Sequence, residues 1–253
     1  MQKGLENSQA SEIAGRLAQV REAVAGAAKA AARDPEEVTI IAVSKTHPVK
    51  DVVAAALAGQ KDFGENYVQE VLAKQDALAG QETWAGLELN WHFIGGLQRN
   101  KAKFMPGRFA MIHTLDSLKL AQSLHKRLLE HGGPAQDVLI EVNLAGEMQK
   151  AGAREANVLE LAKAVTQMPG LALRGLMLMP PFFEDPEDTR PFFARLRKLR
   201  DTLEAKLGAR LPALSMGMSQ DFEQAVQEGA THVRIGTRIF GPRPCGINRE
   251  TKA

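Results

Sequence analysis

The chain has 253 residues, 44% of them hydrophobic, and 32 basic against 30 acidic side chains give a formal net charge of +2. That is enough apolar material for a large core, and so even a charge balance demands neither nucleic acid nor an acidic membrane surface as partner. The single cysteine, Cys245, excludes an intrachain disulfide and fits a reducing, cytoplasmic compartment, while the start of the chain has no apolar signal core and no run approaches the roughly 18 apolar residues of a membrane span.

A first helix is expected over residues 8–32, where Ile13, Leu17, Val20 and Val24 recur at helical spacing, and Asp34-Pro35 ends it. The first strand runs from Thr39 to Lys45, β-branched and almost continuously apolar, as a strand covered on both faces should be. A short helix over 49–57 follows and ends by Gly59. Further strands are expected at 62–65, 89–95, 111–116, 138–143, 173–179, 214–217 and 233–237, with helices between them. Ser117 can cap one helix that carries Leu120, Leu124 and Leu128 and stops at Gly132-Gly133. Asp185-Pro186 opens another, with a stripe of Phe192, Leu196, Leu199 and Leu203 and a stop at Gly208. The last runs from Ser219 to Gly229 with Phe222, Ala225 and Val226 inward. Eight strands alternating with helices, after one extra N-terminal helix, predict an α/β fold, a single parallel (β/α)8 TIM barrel over residues 1–253. A doubly wound open sheet is the alternative, but no G-x-G-x-x-G follows an early strand.

In such a barrel the ends of the strands and the loops after them form the functional face. Those ends hold Lys45, Glu65-Asn66, Gly95-Gly96, Asp116, Asn143, Met179-Pro180, Ser215 to Ser219 and Gly236-Thr237. Loop capping accounts for Asp116 and Asn143. Strand alternation puts Lys45 on one face with Ile41 and Val43. If that face is the interior, desolvation favours the free amine and its attack on an aldehyde; the other reading is a lysine snorkelling from the rim. The Ser215–Ser219 and Val233–Thr237 segments occupy the positions after strands seven and eight, where barrels often bind phosphate. Glycine lets backbone N–H groups approach an anion there, and Ser219 and Thr237 add hydroxyls. An amine-bearing first strand with a phosphate cup after the last suggests a phosphorylated aldehyde, and pyridoxal 5'-phosphate (PLP) fits. Arg234 shares a face with Gly236 and can point at the pyridine nitrogen, which a donor-only guanidinium would keep unprotonated; a salt bridge to a barrel carboxylate is the alternative. Arg238, Arg243 and Arg249 with Arg234 make the last strand and tail basic, a solvated stretch.

These residues form a recognisable set. Ala42-Val43-Ser44-Lys45-Thr46, Gly64-Glu65-Asn66-Tyr67, Trp91-His92-Phe93-Ile94-Gly95, Leu97-Gln98-Arg99-Asn100-Lys101, Gly175-Leu176-Met177, Leu214-Ser215-Met216-Gly217-Met218-Ser219 and Val233 to Gly241 occur in one order across residues 42–241. The chain thereby resembles the pyridoxal phosphate homeostasis proteins, small cytoplasmic relatives of the N-terminal barrel of alanine racemase. The resemblance implies that Lys45 carries PLP as a Schiff base, that Ser219, Gly236 and Thr237 hold the phosphate, that Arg234 faces the pyridine nitrogen, and that Asn66 and Met177 line the ring. It also covers His92 and Gln98. The chain departs from the family's usual pattern at Ala145, before Gly146, and at Gln149, before Lys150.

A racemase of this fold draws a second base, a tyrosine, from a C-terminal β domain, whereas this chain's one tyrosine is Tyr67. The expectation is therefore a PLP-binding homeostasis or carrier protein, not an enzyme with established turnover, monomeric, with PLP-dependent apoenzymes as potential partners and no metal. A one-base enzyme, a slow amino-acid racemase or decarboxylase with Lys45 as base, shares every cofactor residue. A cofactor-free barrel aldolase using Lys45 is the third reading.

Overall fold

Strand β1 (Thr39–Val43) pairs in parallel with β2 (Asp62–Glu65) on one side and with β9 (His232–Ile235) on the other. Parallel pairing continues from β2 to β3 (Asn90–Phe93) and β4 (Met111–Leu115), and from β9 to β8 (Ala213–Ser215), β7 (Leu171–Leu178) and β5 (Gln136–Asn143). Pairing of β4 with β5 closes the ring, so eight strands form a barrel and the open doubly wound sheet is excluded. A two-residue strand, β6 (Ala153–Arg154), adds to the upper end of β5 and was not expected. This computed structural model describes residues 2–81, 84, 86–147 and 151–242, the side chains of 2–7 excepted; Gln149, Lys150, Arg243, Cys245 and Arg249 lie outside them.

Helices cover the outside. They are α1 (Gln2–Ala30), α2 (Val49–Leu57), α3 (Val68–Ala79), α4 (Leu118–His131), α5 (Glu155–Thr166), α6 (Arg190–Leu207), α7 (Phe222–Gln227) and α8 (Thr237–Phe240). The stop and start signals act as expected. The Asp34 and Asp185 side chains accept from the N–H groups of Glu36 and Glu187, Ser117 accepts from Leu120, and Gly208 ends α6 in the left-handed region at φ 63°. Ile13, Leu17, Val20 and Val24 of α1 are all buried. In α6 the fully buried aromatic is Phe193, while Phe192 and Leu199 are only partly buried against the same core. Arg238 is not simply solvated: its guanidinium lies 5.1 Å from the Phe222 ring centre. No helix among the described residues is long and apolar enough to cross a membrane.

Alternation along the strands sorts side chains into two sets. Ala42, Phe63, Trp91, Phe93, Ile112, Val138, Ile140, Leu176, Leu214, Val233 and Ile235 face out and join the helix stripes in one core. The interior set starts with a small separate cluster of Met111, Leu139, Met177 and Ala213. Ile41 lies beside Arg234 in register, and a Cβ on Gly64 would come within 2.8 Å of Ile41, so the Ile41/Val43 face does turn inward. The rest of the interior is polar: Asp62, His92, His113, Glu141, Ser215 and Arg234.

Several strands end earlier than expected: β3 at Phe93 rather than 95, β8 at Ser215 rather than 217, β4 and β7 one residue short, and β1 and β9 two residues short. Strand β1 stops at Val43 rather than Lys45, because Thr46 adopts φ 65° and turns the chain away from its neighbour. Strand β9 stops at Ile235, and Thr237 begins the short helix α8 instead of ending a strand. Close backbone approach also shapes this face: a Cβ at Gly95 would lie 2.1 Å from the Asn66 carbonyl oxygen. Gly95→Ala should therefore force the loops after β2 and β3 apart and lower stability by about 3 kcal/mol in urea melts, the upper range for overpacking.

Candidate functional site

Lys45 sits in the turn after β1, half-buried, at the end of the barrel where all the strands terminate. The turn is held from beneath. Lys74, on the inner face of α3, is buried, and its ammonium donates all three hydrogens: to the Ser44 carbonyl at 2.7 Å, Glu65 Oε1 at 2.6 Å and Glu70 Oε1 at 2.8 Å. Glu70 Oε1 in turn accepts from the Thr46 N–H at 2.6 Å, and Glu65 Oε1 accepts from Ser44 Oγ at 2.7 Å. The residues on both sides of Lys45 are thus tied to one buried ion cluster. That cluster sustains the positive φ of Thr46, a sparsely populated conformation for a β-branched residue. Burial raises the Glu65 carboxyl above its ordinary value, with Lys74 opposing the shift.

Three buried polar atoms around this turn have no hydrogen-bond partner among the described residues: Thr46 Oγ1, Glu65 Oε2 and Asn66 Oδ1. Buried polar atoms are nearly always paired, so three orphans on the segments that follow β1 and end β2 mark this region as unusual. Across the mouth, the Gly236 N–H donates to Ser219 Oγ at 3.4 Å, bringing together the loops after β8 and β9. Gly217 makes the first of those loops possible: its φ is +90°, and a Cβ there would lie 2.6 Å from Ala225 Cβ. Thr237 is exposed beside Gly236. Met218, Met179 and Tyr67 add exposed apolar surface.

Arg234 lies below these loops. It is almost wholly buried and makes no salt bridge among the described residues; it donates to Ser215 Oγ at 2.7 Å and to the Leu178 carbonyl at 2.9 Å. Burial lowers its pKa to about 10, with Asp221 and Glu141 pulling the other way, so it remains a cation at neutral pH. Glu141 is buried on β5 in register with Met177, and burial raises its carboxyl to about 7 against the pull of Arg234. Asp221 Oδ1 accepts from the Met218 N–H at 2.6 Å and braces the β8 loop. Asn143 does cap a loop, donating to the Glu147 carbonyl and accepting from the Gly146 N–H. A groove of about 570 Å³ between Trp91, Phe109, Leu128 and Gln136 contains none of the strand-end residues.

The alanine racemase N-terminal domain family matches residues 16–244. The chain is 46% identical over 236 residues to the pyridoxal phosphate homeostasis protein of Pseudomonas aeruginosa, covering 93% of this chain and 98% of that one. The protein of the same name from Aquifex aeolicus is 45% identical over 228 residues, covering 90% and 97%. The chain belongs to the pyridoxal phosphate homeostasis protein family. Among solved structures, PipY of Synechococcus elongatus PCC7942, determined with PLP bound, superposes with a TM-score of 0.78 at 37% identity, covering 90% of this chain and all of PipY.

For this homeostasis-family chain, the fold gathers Lys45, Asn66, Ser219, Arg234, Gly236 and Thr237 at one end of the barrel, with Met177 in the interior below. His92 is elsewhere: it hydrogen-bonds Asp62 at the start of β2, away from the mouth. Gln98 precedes a 3-10 turn (Arg99–Phe104) outside the ring of strand ends. Sequence reasoning missed Lys74, Glu70, Glu141 and His113. Glu70 and Lys74 are four apart, a spacing that reads as an ordinary solvated helix pair until the burial is seen.

Two outcomes follow. Lys74→Met strands the buried Glu65 carboxylate and leaves the half-buried Glu70 without its cation, and should cost about 3–5 kcal/mol in urea-measured stability, with Glu70→Gln much milder. His232 is held down to about 4, first by burial and then by nearby His92, so its contribution is present above the ordinary value near 6.5 and is lost as pH falls through about 4. His232→Gln should flatten the decline of the thermal midpoint over that window.

Proposed function

We propose that this chain binds PLP and keeps it as a reversible Schiff base on Lys45, holding a reactive aldehyde for release to PLP-dependent apoenzymes. The observation that carries the reading is Lys45 on a strained turn, its neighbours clamped by a buried ion cluster, in a chain 37% identical to a protein solved with PLP. PLP supplies an aldehyde; the Lys45 amine would add to its carbon and lose one water. Asn66 and Met177 would line the ring. Ser219 Oγ, Thr237 Oγ1 and the Gly236 backbone would take the phosphate. Arg234 would donate to the pyridine nitrogen, and a guanidinium there leaves the nitrogen unprotonated, which suits holding more than carbanion chemistry. A monomer in the cytoplasm is the simplest setting for such a carrier.

Lys45→Ala should abolish the visible absorbance that the wild-type chain gains with PLP. Borohydride followed by peptide mapping should find the label on Lys45 in the wild type. A label elsewhere, or an undiminished absorbance in Lys45→Ala, overturns the assignment. Ser219→Ala should leave the Schiff base in place and weaken PLP binding about tenfold, as expected for one charge-assisted hydrogen bond.

A second reading, a slow racemase or decarboxylase with Lys45 as base, is favoured by Glu141, a buried carboxyl that changes protonation at about 7 beside Arg234. Exchange of deuterium into the α-carbon of an added amino acid, lost in Glu141→Gln with PLP still bound, would establish it.

A further inference from the structure

A continuous line of side-chain hydrogen bonds crosses the barrel interior. Asp62 Oδ1 contacts His92 Nε2 at 3.0 Å, His92 Nδ1 contacts His113 Nε2 at 3.0 Å, His113 Nδ1 contacts Ser215 Oγ at 2.9 Å, and Ser215 Oγ accepts from Arg234 at 2.7 Å. The line runs from the first residue of β2 through β3, β4 and β8 to β9. Its ends carry opposite charge, a carboxylate and a guanidinium, and everything between is buried.

Donor accounting gives this line a direction. A carboxylate only accepts, so His92 Nε2 carries a hydrogen. A neutral His92 then has a bare Nδ1, which requires a hydrogen on His113 Nε2. A neutral His113 has a bare Nδ1, which requires the Ser215 hydroxyl as donor. Ser215 Oγ is then left to accept from Arg234, which can only donate. Each hydrogen has one acceptor and no buried imidazolium is needed. The reverse order would bury a charged His92 and leave the Ser215 hydrogen to find another acceptor. Burial holds His113 well below the ordinary histidine range, with His92, His232 and Arg234 adding to the shift. Burial raises the Asp62 carboxyl, but His92 and Asn90 outweigh it and hold it below its ordinary value. The other ionisable groups that bear on the line are His232 on β9, whose ring centre is 5.9 Å from that of His113, and Glu141 and Asp221, which act on Arg234.

We infer that His113 and Ser215 are positioning residues for Arg234, and that Asp62, through His92, sets the direction of the chain that aims the guanidinium. A hydroxyl whose hydrogen is committed to His113 presents only lone pairs to Arg234. With the Leu178 carbonyl as second acceptor, the guanidinium is fixed on two sides and its remaining N–H groups are free for a ligand in the mouth. The role toward PLP rests on the reading given under Proposed function; the direction of the chain does not.

The test uses both forms of the protein. In the cofactor-free chain, imidazole nitrogen NMR at neutral pH should show His92 and His113 as neutral Nε2–H tautomers. Asp62→Asn removes the fixed acceptor and should bring in the Nδ1–H tautomer of His113, although position 113 is untouched. Ser215→Ala should weaken PLP about three- to tenfold, one hydrogen bond's worth, and shift the visible absorbance of the bound form. An Nδ1–H or charged His113 in the wild type, or tautomers unmoved by Asp62→Asn, overturns the inference. So does Ser215→Ala binding PLP as tightly as the wild type with an unshifted spectrum. Tautomers as stated in a wild-type chain that takes up no PLP would instead sink the cofactor reading and, with it, the positioning role.

Discussion

The Lys74 ammonium, buried where β1 and β2 end, is the interaction on which the site depends. Its three hydrogens hold a backbone carbonyl of the first loop, the last residue of β2 and the first turn of α3 together. An isolated buried cation is expensive, and here it is tolerated because every hydrogen has an acceptor and two of the acceptors are carboxylates. The return is geometric. The turn on which Lys45 sits is bent through a conformation that Thr46 would not choose by itself, and it is fixed from both sides. A lysine on a free loop would sweep a wide volume, whereas this one leaves a rigid base.

The barrel has a divided interior, and the division explains how a fold of this size contains so many polar groups. The large core lies between strands and helices and is apolar. Inside the ring the apolar side chains are fewer, the cluster of Met111, Leu139, Met177 and Ala213 with the inward Ile41 and Val43, and a polar line crosses the same space. Stability therefore comes chiefly from the outer layer, which frees the inner layer for groups chosen for charge and hydrogen bonding. Arg234, Glu141, His113 and His232 all have pKa values displaced by the same cause, removal from water, and each displacement favours the neutral form. Only Arg234 starts far enough from neutrality to keep its charge. That leaves Arg234 as a firm cation in the barrel interior, below the loops that meet at Ser219 and Gly236.

Much of this was legible in the residue order. Local rules suffice for caps and stops such as Asp34, Ser117, Asp185 and Gly208, because a cap is satisfied within a few residues of itself. Eight apolar strands alternating with helical patterns were enough for a closed barrel. Lys45, Ser219, Arg234 and Gly236 were found because strand ends share one face in any parallel barrel, so position along the strand is already position in space. The helices α3 and α5 escaped individual assignment; Glu70 and Lys74 resemble a solvated pair, and only packing buries them.

What the sequence by itself determined is therefore the set of residues at the mouth and the parity that turns Ile41, Val43 and Arg234 inward. Both follow from a period of two and from parallel pairing, which are local facts. The tertiary structure alone decided that Lys74 lies under the Lys45 turn, that Thr46 is strained, and that Asp62, His92, His113, Ser215 and Arg234 touch in series. Those contacts join residues as far apart as 102 positions in the chain. They depend on the stagger between strands around the closed ring, a quantity that no single stretch of sequence contains.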